Sequence, residues 1–170
     1  MRRLITPVTP DIRDIEDSDV PGVCAIYNHY IEFSPATFEE TVITPEEMGR
    51  RVAAVTKEYP FLVAEQDDEL LGYAYASKWK DRAAYGTTAE TTIYLSKDVT
   101  GHGVGTALYD RLLDELRIRK YHVAIGIISL PNDASVKLHE SQGFRQAGLF
   151  HQVGRKFNRW IDVGYWELRL

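Results

Sequence analysis

The chain has one cysteine, Cys24, so no intrachain disulfide can form and the fold must rest on its core. It lacks any apolar run approaching the roughly 20 residues of a membrane-crossing helix. The opening Met1-Arg2-Arg3-Leu4-Ile5-Thr6-Pro7 has arginines with no apolar stretch behind them, so no signal peptide is expected. Positive charge is in short supply: 20 Lys and Arg against 25 Asp and Glu leave a net charge of −5. A basic groove for nucleic acid is therefore not expected, and any bound anion must be held by local features. Repeats, low-complexity tracts and linkers are absent too. What is present is globular composition, 44% hydrophobic and 26% charged over 170 residues, enough for one domain. The expectation is an N-terminal arm over 1–10 and a single domain over 11–170, in a cytoplasmic protein with no membrane partner.

Hydrophobic spacing then divides the chain. Ile12 to Ile15 predicts a short strand. Ser18 is expected to cap a helix whose Val23, Ile26, Tyr27 and Tyr30 share one face. Glu32 to Val42 reads as a loop. Thr44-Pro45-Glu46-Glu47 is a capping box with proline at the first helical position, predicting a helix to about Thr56. Phe61–Glu65 and Leu70–Ala76 predict a hairpin around Asp67-Asp68. Thr88–Leu95 is a β-branched strand. Val104, Leu108, Leu112 and Leu116 mark an amphipathic helix to about Arg119. His122–Ser129 predicts a strand, Pro131-Asn132-Asp133 opens a helix that stops at Gly143, and Phe144–Val153 and Trp160–Leu168 predict two last strands. A basic loop, 154–159, is expected between them. The order β-α-α-β-β-β-α-β-α-β-β is a mixed α/β chain.

Between strand 88–95 and the following helix lies Gly101-His102-Gly103-Val104-Gly105. Glycines let a backbone approach a ligand closely, and the free N–H groups of a helix start attract phosphate. A Walker A loop would end in Gly-Lys-Ser/Thr, whereas this one ends in Gly105-Thr106-Ala107. A Rossmann turn needs G-x-G-x-x-G and an acid about 20 residues on, where this chain has Tyr121-His122-Val123-Ala124. The pyrophosphate loop of acetyl-CoA-dependent acetyltransferases, (Q/R)-x-x-G-x-(G/A), fits except that Thr100 replaces the usual Gln or Arg. A plain strand-to-helix turn is the other possibility.

Longer stretches are more specific. They are Ile26-Tyr27-Asn28-His29-Tyr30-Ile31, Tyr59-Pro60-Phe61-Leu62-Val63-Ala64-Glu65, Ala84-Tyr85-Gly86-Thr87-Thr88-Ala89-Glu90-Thr91-Thr92-Ile93-Tyr94-Leu95, Leu130-Pro131-Asn132-Asp133-Ala134-Ser135-Val136-Lys137-Leu138-His139-Glu140 and Trp160-Ile161-Asp162-Val163-Gly164-Tyr165-Trp166. On these the chain resembles the GNAT N-acetyltransferase superfamily, and within it the phosphinothricin acetyltransferase group, from about Asp11 to Leu170. The resemblance implies a single twisted mixed sheet of about six to seven strands, splayed at its middle and flanked by about four helices. It implies acetyl-CoA in the splay, released as CoA, and no metal. The pantetheine arm would pair with the backbone of Ile93, Tyr94 and Leu95. The pyrophosphate would sit on Gly101, His102, Gly103, Val104, Gly105 and Thr106, and Asn132 would bond the pantetheine arm. A homodimer is implied as well.

The chemistry such a protein needs is a base for the acceptor ammonium, a donor for the oxyanion and a proton for the departing thiolate. Glu90, on an apolar strand just before the glycine turn, is the candidate base. It matches the group's catalytic glutamate, though the bland reading is an exposed strand face. A strand N–H near Tyr94 is the oxyanion donor that the resemblance implies. His139 is the candidate acid, against a helix histidine satisfied by a carbonyl. Lys78-Trp79-Lys80-Asp81-Arg82-Ala83-Ala84-Tyr85 crowds three cations and two aromatics together. Lys80, Arg82 and Tyr85, with Asp81, Thr91, Thr92 and Phe38, are the candidate acceptor contacts, although most such charge runs are solvated loops. Arg155, Lys156 and Trp160 are expected in a surface hairpin or against a partner subunit. Cys24 is expected to be a core thiol. The leading function is acetylation of a small amino acid or analogue of the phosphinothricin or methionine sulfoximine type. The alternatives are a peptide, lysine or polyamine acceptor, or a non-catalytic acyl-CoA-binding domain.

Overall fold

The structure, a computed structural model, describes residues 9–99 and 102–170. Its elements are β1 (Asp11–Asp14), α1 (Val20–Phe33), α2 (Pro45–Val55), β2 (Phe61–Gln66), β3 (Glu69–Lys78), β4 (Thr88–Leu95), α3 (Val104–Ile118), β5 (Val123–Leu130), α4 (Asp133–Ser141), β6 (Arg145–Lys156) and β7 (Arg159–Arg169). The strands form one seven-stranded sheet in the order β1-β2-β3-β4-β5-β7-β6. All neighbours are antiparallel except β4 and β5, which run parallel with α3 as their crossover.

Each face of the sheet carries its own core. On one, the every-fourth-residue stripe Val104, Leu108, Leu112 and Leu116 of α3 is fully buried over Ala64, Ala74, Ala76, Ala89 and Ala124. The alanines are the reason α3 can lie close to the strands. Truncating Leu112 there would open a cavity worth about 2–5 kcal/mol. On the other face, Val23 and Cys24 of α1 and Met48 and Val52 of α2 cover Phe61, Val63 and Tyr73. Cys24 is a buried free thiol there.

Thr44 caps α2 by accepting from the Glu47 N–H at 3.2 Å. Ser18 does not cap α1, contrary to expectation: a short 3-10 turn covers Asp17–Asp19, and α1 begins at Val20. Asp19 is drawn instead to the Arg13 guanidinium, at 2.7 and 2.8 Å. The expected basic loop over 154–159 is also corrected. β6 runs through Lys156 and β7 starts at Arg159, leaving a two-residue turn at Phe157 and Asn158, with φ of 51° and 56°. Strand alternation then turns Gly154 and Lys156 inward and Arg155 outward.

Candidate active site

The parallel pairing of β4 with β5 begins at Thr88 and Val123 and ends at Thr91 and Gly126. Beyond that point β4 stays paired with β3 as far as Leu95 and Gly72, while β5 stays paired with β7 as far as Leu130 and Asp162. The two central strands therefore diverge, and each leaves one backbone edge without a strand partner among the described residues. A cavity of about 760 Å³ occupies the gap. Its walls include Glu90, Thr91, Thr92, Ile93, Tyr94 and Leu95 of β4, Ile127, Ile128 and Ser129 of β5, and Ala36, Thr37 and Phe38 of the loop after α1.

One end of the cavity is the start of α3. Gly103 has φ of 82°, a left-handed conformation that glycine adopts without strain. Gly105 is tight for a different reason: a Cβ there would lie 3.2 Å from Leu138 Cδ2 and 3.4 Å from Leu95 Cδ1. Gly103, Gly105 and Thr106 all face the cavity. The first intrahelical bond runs from Ala107 N–H to Gly103 C=O, so the N–H groups of Val104, Gly105 and Thr106 precede the helical ladder and can donate to an anion. Gly101 and Thr100 lie outside the described residues. His102 and Val104 are not on the wall, and Val104 is buried in the α3 core. Asn132 is on the wall, where its side-chain oxygen caps α4 by accepting from Ser135 N–H at 3.2 Å.

Glu90 sits mid-sheet, opposite Ser77 on one side and Ile125 on the other. It is half-buried, and burial raises its carboxyl above the ordinary range, an effect that the Lys80 cation opposes. Such a carboxylate holds a proton more strongly than a free one, which suits a base acting on an ammonium. On the same side, Tyr94 packs against Tyr30 and Tyr27, with ring centroids 4.9 and 5.3 Å away. The Tyr30 hydroxyl donates to Leu95 C=O at 2.8 Å.

His139 is 3% exposed and lies at hydrogen-bond distance from three groups, the weakest being the Ser135 hydroxyl at 3.4 Å from Nδ1. Its Nδ1 is 2.8 Å from Ser135 C=O, and its Nε2 is 2.8 Å from the Tyr109 hydroxyl. A carbonyl only accepts, so Nδ1 carries the proton and Nε2 accepts from Tyr109. Burial lowers the imidazole pKa, which favours the neutral ring. The expected general acid thus presents no free N–H to the cavity, and its geometry is that of a histidine satisfied by its own helix. Tyr109, which carries this contact, is fully buried and also donates to Thr91 Oγ at 3.2 Å in the alternative orientation of its hydroxyl. It went unremarked in the sequence because its spacing on α3 marks only a core position.

The acceptor candidates divide. Phe38, Thr91 and Thr92 are on the wall. Lys80 is off it, but its charge acts on Glu90. Asp81, Arg82 and Tyr85 are exposed and do not line the cavity; they lie in and just before the 3-10 turn Ala83–Tyr85. Lys156, expected at the surface, is buried under the loop after α1. No group of three metal-ligating side chains occurs among the described residues, and no helix there is long and apolar enough to cross a membrane.

The GNAT acetyltransferase domain model matches residues 12–164. A phosphinothricin N-acetyltransferase of Streptomyces viridochromogenes is 39% identical over 157 residues, 92% of this chain and 86% of that protein. An L-methionine sulfoximine/L-methionine sulfone acetyltransferase of Pseudomonas paraeruginosa is 34% identical over 168 residues, 96% of each chain. A phosphinothricin acetyltransferase of Sinorhizobium meliloti, solved in complex with acetyl-CoA, superposes with a TM-score of 0.93 at 33% identity, covering 96% of this chain and 89% of that one.

Proposed function

The chain belongs to the GNAT acetyltransferase family, and from that premise we propose that it moves the acetyl group of acetyl-CoA to the α-amine of a small amino acid or analogue. Phosphinothricin and methionine sulfoximine, named for its relatives, define the acceptor class. The observation that carries this reading is Glu90, a carboxylate with raised proton affinity on the wall of the gap between β4 and β5.

The residues present fit an extended acyl-thioester carrier. The β4 edge of Ile93, Tyr94 and Leu95 offers backbone groups for an amide-bearing arm. The N–H groups at the start of α3 suit its pyrophosphate, and the Asn132 amide nitrogen is available at the opposite wall. When bound, acetyl-CoA supplies the activated acetyl group and a thiolate leaving group. Glu90 takes the proton of the acceptor ammonium, freeing the amine to attack. A β4 N–H near Tyr94 stabilises the oxyanion, and the walls hold the reactants at attack distance. Because both His139 nitrogens are engaged, the proton for the thiolate comes from solvent, and a thiol of ordinary pKa about 8.5 leaves without a dedicated acid. Lys80, whose charge is felt by Glu90, would attract the acceptor carboxylate. The exposed Phe150, Val153 and Trp160 of the β6–β7 hairpin are the face that a second copy would cover in a homodimer.

A thiol-release assay with acetyl-CoA tests the reading. Its acceptors are phosphinothricin, methionine sulfoximine, methionine sulfone, the common amino acids, a polyamine and a lysine peptide. Turnover confined to amino-acid acceptors is expected. Turnover on the peptide or polyamine alone would replace the acceptor class, and acetyl-CoA binding without turnover would leave a binding domain.

A further inference from the structure

Lys156 is 2% exposed, although it stands one residue before a surface turn. Its ammonium points at the end of α1, where Nζ lies 2.8 Å from Ser34 C=O, 2.8 Å from Thr37 C=O and 3.4 Å from Tyr30 C=O. An ammonium has three N–H donors, so these three carbonyls saturate it. A buried charge survives only when it is matched in this way. Its setting is favourable also because carbonyls at a helix C-terminus carry partial negative charge. Burial lowers the pKa of the ammonium, and Glu40 and Glu39, just after the same segment, oppose that fall.

The segment held in this way carries Ala36, Thr37 and Phe38 of the cavity wall. We infer that Lys156 is a positioning residue for that wall, gripping the backbone of 34–37 so that Phe38 and its neighbours meet the acceptor in one fixed shape. Two neighbours support the grip. Gly154, one inward position earlier on β6, leaves room for the Phe38 ring, since a Cβ there would lie 2.3 Å from Phe38 Cε2. Ser129 of β5 donates to Pro35 C=O at 2.7 Å. The loop is thus tied to strands on the far side of the cavity from β4. The inference rests on the proposed function only in taking this wall as the acceptor's.

The test compares Lys156→Met, which keeps the apolar stem, with Lys156→Arg, which keeps charge and donors, and Gly154→Ala, which crowds Phe38. For Lys156→Met and Gly154→Ala the acceptor KM should rise about tenfold or more, with the acetyl-CoA KM within about twofold of wild type. Lys156→Arg should recover most of the loss. Amide exchange in 34–38 should accelerate in Lys156→Met while the α3 core stays protected. Exchange is read without any acceptor, so a failed acceptor assignment is distinguishable from a failed grip. Unchanged exchange and an unchanged acceptor KM in folded Lys156→Met would overturn the inference. So would an equal rise in both KM values, which marks general structural damage. If Lys156→Met does not fold, Gly154→Ala decides the matter by the same KM comparison.

Discussion

The His139 ring occupies the space above Gly126: a Cβ on that glycine would lie 2.4 Å from His139 Nε2. The ring has nowhere to retreat. Phe144 stands edge-on at 5.1 Å and Tyr109 at 5.0 Å between ring centroids. Gly126 also closes the paired part of β4 and β5, so a displaced ring disturbs the point where the strands diverge. Gly126→Ala should therefore destabilise the protein by roughly 1–3 kcal/mol through overpacking. Denaturant unfolding measures this, and an unchanged midpoint would mean that the ring moves freely.

His139 should also leave a mark on the pH dependence of stability. Burial lowers its pKa in the folded state, so the unfolded chain binds the proton more readily. The stabilising effect of the neutral ring is then complete above the unfolded value of about 6.5 and is lost as pH falls below it. His139→Gln should remove that slope. It should also cost about 1–3 kcal/mol by disturbing the partner of the buried Tyr109 hydroxyl. Its turnover should fall far less than that of Glu90→Gln. Unfolding curves between pH 5 and about 8 check the slope, and a His139→Gln loss as large as that of Glu90→Gln would return His139 to the chemistry.

The β4–turn–α3 unit was legible because each part carries its own local signal. A β-branched run makes the strand, Gly103 with its φ of 82° stands at the described end of the turn, and an apolar residue at every fourth position makes the helix. Thr44 was legible as a cap for the same reason, since its partner Glu47 is three residues away. Lys156 was not legible, because its partners Ser34 and Thr37 are 122 and 119 residues earlier and nothing local distinguishes an inward lysine from a basic turn. Tyr109 was hidden in the same way behind a contact with His139, 30 residues on. Arg82 and Tyr85 differ in the other direction: they are exposed and lie off the cavity wall. Residue type suits an acceptor site, but type alone does not say which way a loop around a short 3-10 turn faces.

Glu90→Gln keeps the shape of the side chain and removes its basicity. If Glu90 takes the acceptor's proton, turnover should fall by about 10²–10⁴. Acetyl-CoA affinity should be retained, since the α3 N–H groups and the β4 edge proposed to hold it are untouched. Steady-state rates together with calorimetric titration of acetyl-CoA check both halves. Full activity would remove Glu90 from the mechanism.

Lys80 gives a finer test of the same carboxylate. Its cation opposes the rise that burial imposes on Glu90. Removing the charge in Lys80→Met leaves burial unopposed, so the Glu90 carboxyl should hold its proton to higher pH. A base works only when ionised, and so the acid limb of kcat/KM should move upward in Lys80→Met relative to wild type. If Lys80 also attracts the acceptor carboxylate, the acceptor KM should rise as well, while the acetyl-CoA KM stays put. The two effects are separable, because the limb reports the charge felt by Glu90 and the KM reports acceptor binding. An acid limb fixed in Lys80→Met but abolished in Glu90→Gln would keep the base and remove Lys80 from its control. A limb indifferent to both substitutions would assign the titration to the acceptor amine itself.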